Sequence, residues 1–203
     1  RVLEGWLAGK GFPQSTDYTP SERQRLGRDI NALYNRQMDG AFEREDLVAT
    51  ITAGAPGAGK TVLLEQLLEC ALKEGKRCSY IDPDAVCLKR GMLGTYSADL
   101  ALTQGNLEER RDLYHKWRAG SNASAHLILA NWVKSKLSFF FGTTSTGPAT
   151  GKFFEFLKSQ GYQIHLIHVT APDDVRWQSI QKRDQEFIQT TEVDTQEKGL
   201  LLP

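Results

Sequence analysis

The chain has 203 residues, of which 25 are Lys or Arg and 25 are Asp or Glu, so its formal net charge is zero. That length fits one domain, or one domain with a short appendage, and the balanced charge argues against a dedicated binder of duplex DNA or anionic membranes, which needs surplus cations. Apolar residues reach 40%, enough for a core, and no apolar run approaches the ~18 residues of a bilayer span.

The first residue is Arg1 and no charged-then-apolar leader follows, so the chain reads as an excised or processed piece. Residues 1–18, with Gly5, Gly9, Gly11 and Pro13 among scattered aromatics, read as irregular chain packed on something larger. Thr19, Pro20, Ser21 and Glu22 supply a cap, a proline and an acid ahead of Leu26, Ile30, Leu33 and Tyr34, which predicts a helix over about 21–38. Residues 46–53, Asp-Leu-Val-Ala-Thr-Ile-Thr-Ala, form a short β-branched run ending at Gly54, as for a strand buried on both faces. An amphipathic helix over 61–73 closes at Gly75. A strand at 78–81, a helical stretch near 107–116, a helix from Ser121 to about Lys136 and a strand at 137–141 follow. A helix over 151–160, a strand over 163–169 and a helix from Pro172 through Arg183 complete the series. Strands alternating with helices imply a parallel sheet flanked by helices.

Gly54-Ala55-Pro56-Gly57-Ala58-Gly59-Lys60-Thr61 satisfies Gly-x-x-x-x-Gly-Lys-Ser/Thr between the first strand and its helix. Glycines let backbone N–H groups close on a phosphate chain, and the helix N-terminus points its amides at the same anion. Lys60 would meet the β- and γ-phosphates of ATP or GTP, and the Thr61 hydroxyl would ligate Mg²⁺. Beyond the second strand, Asp82-Pro83-Asp84 places two carboxylates at the strand ends, where α/β sheets bind ligands. Held extended around the proline, one would support Mg²⁺ and the other would take a proton from an attacking hydroxyl. The bland reading is a polar turn whose Asp caps the next helix. The later strand ends in Gly142-Thr143 without an acid, which favours a small-molecule kinase over a motor or switch GTPase.

Other groups fit the same chemistry. Arg176 and Arg183, seven apart, share a helix face and suit a cationic lid over transferring phosphate, or a solvated face paired with neighbouring acids. Tyr114-His115-Lys116-Trp117-Arg118 mixes stacking surface with charge, as a nucleotide acceptor requires and as a packed Trp would also show. Thr143 and Thr144 open a hydroxyl-rich loop after the later strand. His165 and His168 alternate across a strand and cannot form a two-histidine metal site; His168 is expected in the core or the crevice. Cys70, Cys78 and Cys87 contain no Cys-x-x-Cys pair, and read as buried small apolar residues of a protein in a reducing compartment.

Four segments in order resemble the zeta-toxin family of phosphotransferases: Gly54 to Thr61, Ile81-Asp82-Pro83-Asp84, Ser121-Asn122 heading a helix, and Gly161 to Arg183. The likeness covers about residues 46–183. It implies an α/β P-loop kinase core of three layers with a parallel sheet over 46–203, shortened at its C-terminal end, behind a mostly helical extension over 1–45. It implies transfer of the γ-phosphate of ATP or GTP to a hydroxyl of a nucleotide or nucleotide-sugar, typically UDP-N-acetylglucosamine, or an NAD-like acceptor in related effectors. By the resemblance Asp84 is the general base, Lys60 and Thr61 contact phosphate and magnesium, and Arg183 is a transition-state cation. Asp82 joins Thr61 at the metal, while Arg176 joins residues 54–61 at the nucleotide. Asp82, Lys116, Arg118, Ser121, His126, Thr143 and Thr144 are the acceptor-side candidates.

A toxin or effector role, an antitoxin or chaperone-like protein partner, and a place in the cytoplasm or in the cytosol of a host follow from the same likeness. No membrane partner is expected, and the neutral charge disfavours nucleic acid. This chain departs where the family carries an acid after Ser-Asn, here His126, and where it shows Glu-Gly-Thr, here Phe141-Gly142-Thr143. Beyond Arg183 only Lys198 is basic, so a further family arginine has no counterpart. These losses bear on the acceptor more than on the kinase chemistry. The alternatives are a nucleotide-binding scaffold without chemistry, and a polynucleotide 5′-kinase.

Overall fold

The computed structural model describes residues 18–39, 46–75, 79–104, 106–144 and 149–182. Residues 1–17, the expected boundary at 45/46, Cys78 and Arg183 lie outside them. No helix among the described residues is long and apolar enough to cross a membrane. The described residues divide into two compact units, one formed by residues 36–82 with 128–182, the other by residues 18–35 with 83–127.

The first unit is an α/β sandwich. Strands β1 (Val48–Ala53), β2 (Ser79–Ile81), β3 (Phe139–Gly142) and β4 (Gln163–His168) form one sheet in the order β2-β3-β1-β4. All three pairings are parallel, with Thr52 opposite Gly142 on β3 and Ile167 on β4. Strand β1 leads into helix α2 (Lys60–Lys73), and the chain then skips outward to β2, so β1 and β3 flank the topological switch at which such sheets bind ligands. Helix α5 (Ala149–Ser159) sets Phe153 edge-on to Phe141, ring centroids 6.0 Å apart. Leu64 of α2 instead lies over Gly142. Adjacent strand residues face opposite sides, so α2 and α5 cover opposite faces, which makes three layers. On the α5 face, Trp132 and Tyr162 pack on Phe139, at 5.8 and 5.4 Å between centroids.

Helices dominate the second unit. Helix α1 (Pro20–Asp39) starts at a capping box: the Thr19 N–H donates to Glu22 Oε2 at 2.9 Å, and the Glu22 N–H to Thr19 Oγ1 at 3.3 Å, with Pro20 at the first helical position. Two wide π-helical segments, Pro83–Lys89 and Leu93–Ser97, and the short α3 (Ala98–Ala101) lead to α4 (Leu107–Lys134). Tyr18, Leu26, Ile30, Leu88, Met92, Tyr96, Leu100 and Trp117 make the core. Tyr18 stacks on Trp117 at 4.8 Å, and Asp99 accepts from both Arg25 (2.7 Å) and the Trp117 indole N–H (3.0 Å).

Four expectations need correction. The two helices read near 107–116 and from Ser121 are a single 28-residue α4. Inside it, Gly120 and Ser121 form a close interface: a Cβ at Gly120 would lie 2.9 Å from Leu26 Cδ1, and Ser121 is fully buried. Asp84 is not on extended chain, because Pro83 opens a π-helical segment, using its missing N–H where a helix has no partner for it. His168 is exposed, because β4 pairs only with β1 among the described strands and Leu166 beside it is 50% exposed. Cys87 is buried as expected, but Cys70 lies on the exposed side of α2.

Candidate active site

Within the α/β unit, the glycine-rich loop has the shape its sequence demands. Gly57 and Gly59 adopt φ of +78° and +89°, in the left-handed region that costs other residues roughly 1–2 kcal/mol. A Cβ on Gly57 would also lie 2.5 Å from the Arg176 carbonyl oxygen, whereas one on Gly59 would meet nothing within 4 Å. Helix α2 begins directly at Lys60, so its first amides face the loop. The Lys60 ammonium folds back over the loop and donates to the Gly54 and Ala55 carbonyls, 2.9 Å each. A phosphate chain would offer it stronger, charged acceptors.

The loop is braced from two sides. The Gly54 N–H donates to the Thr144 carbonyl at 3.4 Å and the Thr143 N–H to the Thr52 carbonyl at 3.3 Å. These contacts bring the segment after β3 to the end of β1. On the other side, helix α6 (residues 173–182) presents Arg176, whose Nε donates to the Pro56 carbonyl at 3.1 Å while Nη1 pairs with Asp173 at 2.6 Å. The Pro56 contact holds this guanidinium at the loop.

At the end of β2, Asp82 is buried at 6% exposure and its carboxylate accepts from the Tyr80 hydroxyl. The Thr61 hydroxyl faces the same phenol. Tyr80 is 5% exposed, and burial together with the Asp82 charge pushes its ionisation far above the ordinary phenol value of 10.0, so it remains a donor. Asp82 lies across Gly142: a Cβ there would stand 2.9 Å from Asp82 Cβ and 3.1 Å from Leu64 Cδ1. The acid missing from the end of β3 is thus delivered from β2, into space that only glycine leaves open. Thr52, the register partner of Gly142, is fully buried on that face, and its Oγ1 has no hydrogen-bond partner among the described residues.

The remaining candidates belong to the helical unit, whose boundary falls between Asp82 and Pro83. Asp84, half-exposed, is ion-paired with Arg118 and accepts from the Tyr114 hydroxyl at 3.2 Å. Tyr114 and Arg118 lie one turn apart on α4, with the guanidinium 5.8 Å from the ring centre. Lys116 faces elsewhere, paired with Glu22 at 2.5 Å and lying 5.3 Å from the Trp117 ring centre. The Ser121 hydroxyl donates to the Arg118 carbonyl at 2.9 Å, and the exposed His126 ring bonds the Asn122 carbonyl at 2.7 Å.

A family model described as Zeta toxin matches residues 32–196. The chain belongs to the zeta-toxin family. Among solved structures, the toxin–antitoxin PezAT system of Streptococcus pneumoniae shares 18% identity over 87% of this chain and 68% of that one, with a TM-score of 0.62. The AvrRxo1-ORF1:-ORF2 complex with ATP shares 17% identity over 88% of this chain, TM-score 0.57, and its native form 16% over 92%, TM-score 0.55. This zeta-toxin family chain spans 56% of the length of the AvrRxo1 chains. At such identities the likeness establishes the fold, a kinase-like P-loop α/β core. No curated protein sequence matches.

The zeta-toxin reading of the sequence overlooked Tyr80. A strand period of two places it beneath Asp82 on one face, a signal legible in Tyr80-Ile81-Asp82. For magnesium, the neighbouring hydroxyl and carboxylate of Thr61 and Asp82 are the hard oxygen donors the ion prefers. Among the described residues no three His, Cys, Asp or Glu side chains gather into a self-contained metal cage; magnesium beside substrate phosphates does not require one.

Proposed function

We propose that the chain is a phosphotransferase that moves the γ-phosphate of ATP or GTP to a hydroxyl of a nucleotide or nucleotide-sugar, such as UDP-N-acetylglucosamine or an NAD-like dinucleotide. The observation that carries this reading is the loop. A left-handed Gly59 opens a helix N-terminus, and Lys60 sits on loop carbonyls beside the Thr61–Tyr80–Asp82 cluster. Loop amides and Lys60 bind the phosphates, Arg176 borders them at Pro56, and Thr61 with Asp82 would hold Mg²⁺. When bound, the ion neutralises charge on the phosphate oxygens. Asp84 accepts the acceptor's hydroxyl proton as the new O–P bond forms and the bond to the leaving nucleoside diphosphate breaks. Arg183 supplies a cation for that charge shift, while Lys116, Arg118, Ser121, His126, Thr143 and Thr144 serve the acceptor. The neighbours' descriptions, a toxin–antitoxin system and a two-chain complex with ATP, support ATP as donor and a protein antitoxin as partner; the place of action that goes with this reading is the cytoplasm or a host cytosol.

The test is mass spectrometry of nucleotide pools after incubation with ATP and Mg²⁺, seeking a species heavier by one phosphoryl group. Asp84→Ala should keep ATP affinity within a few-fold and lose at least a hundredfold in transfer; Lys60→Ala should lose both. Transfer surviving in Asp84→Ala would overturn the base assignment. One observation favours a second reading, a nucleotide-binding scaffold without transfer: Asp84 is already engaged by Arg118 and Tyr114. Calorimetric ATP binding with no phosphoryl product across a broad acceptor panel would select that reading.

A further inference from the structure

We propose that the Tyr80 hydroxyl is the positioning group of the magnesium end of this site, holding the buried Asp82 carboxylate in the orientation in which it would meet the ion beside Thr61. The inference rests on the nucleotide-binding part of the proposed function and does not need the transfer step.

The three side chains belong to one unit and one face of its sheet. The phenol comes from the middle of β2, two residues before Asp82, and Thr61 is the second residue of α2. A phenol has one proton to give and lone pairs to receive with. The proton goes to Asp82 Oδ2, which fixes the rotation of a carboxylate that is 6% exposed. A carboxylate already fixed in this way does not need to reorient when a metal–nucleotide complex arrives. Packing holds the bond: Tyr80 pairs in register with Phe140 of β3, and Gly142 leaves the space that Asp82 fills. A phenylalanine would fill the same volume at Tyr80, so it is the hydroxyl that calls for a polar explanation.

The deciding experiment is calorimetric titration of ATP into wild type and Tyr80→Phe, with EDTA and across a Mg²⁺ series. Removing one oxygen should leave affinity in EDTA within twofold and raise the half-saturating Mg²⁺ for ATP binding at least fivefold. Asp82→Asn should produce a similar rise, and the double variant should be no worse than Asp82→Asn alone, because Tyr80 acts through Asp82. An unchanged Mg²⁺ response in Tyr80→Phe, or additive losses in the double variant, would overturn the proposal and assign Tyr80 to packing only. Circular dichroism checks that Tyr80→Phe is folded; should it be unfolded, Tyr80→Met, which also keeps bulk and removes the hydroxyl, carries the same prediction. If wild type binds Mg²⁺–ATP but transfers nothing, the kinase reading fails while the Tyr80 result stands. If wild type shows no Mg²⁺-dependent ATP binding, both fall.

Discussion

Replacing Gly57 by alanine tests whether the loop is held by conformation, by contact, or by both. The first cost is conformational: at φ +78° an L side chain loses about 1–2 kcal/mol. The second is steric, because the new Cβ would stand 2.5 Å from the Arg176 carbonyl oxygen and 3.1 Å from the Ile180 side chain. The oxygen is backbone and cannot rotate away, so α6 must shift, at a cost like that of overpacking a core, about 1–3 kcal/mol. The sum is about 3 kcal/mol, which for a chain of this size lowers Tm by on the order of 10 °C. Gly59→Ala carries the same φ penalty with nothing within 4 Å, so it should lose only about 1–2 kcal/mol. Gly151 in α5 also has open space and no positive φ, and Gly151→Ala should gain about 0.5–1 kcal/mol. Differential scanning fluorimetry ranks the three. Equal losses at positions 57 and 59 would refute the packing of α6 on the loop, and a Gly57→Ala variant as stable as wild type would refute the loop geometry altogether.

Gly142→Ala should cost about 1–3 kcal/mol by overpacking, because its methyl would stand 2.9 Å from Asp82 Cβ, and should raise the Mg²⁺ needed for ATP binding several-fold; an intact Mg²⁺ response would show that Asp82 does not lie across β3. Glu22 supplies a pH prediction. Burial works against its charge, but the bonds to Lys116 and Thr19 outweigh that and hold it below the usual 4.5. A depressed carboxyl contributes stability above the unfolded value that is lost as pH falls through the folded one. Glu22→Gln should therefore cost about 1 kcal/mol at pH 7, with the gap from wild type closing below about pH 4; a gap of constant size down to pH 3 would refute the ionic contribution.

The residues that bind the chain to its fold differ in how openly they announce themselves. The sequence by itself determined the order of strands and helices, the Thr19 capping box and the phosphate loop, because each rests on residues a few positions apart and on local periods of two and 3.6. The loop-to-helix junction at Gly59-Lys60 could be read for the same reason. Tertiary structure alone decided the features set by long-range approach. The stretches near 107–116 and from Ser121 read as two helices, yet they are one, with Gly120 leaving the space that Leu26 fills. Pro83 read as an extended spacer, yet it starts a π-helical segment because a proline at a helix start loses no hydrogen bond. His168 read as a residue of the core or the crevice, yet it is exposed, because β4 has only β1 for a neighbour among the described strands. Above all, the bond of Tyr80 to Asp82 beside Thr61, and the vacancy at Gly142 that admits the carboxylate, depend on β2 and β3 lying side by side under α2. That adjacency is a property of the assembled sheet, where contacts between residues far apart in the chain are paid for by burial, and no short window of sequence encodes it.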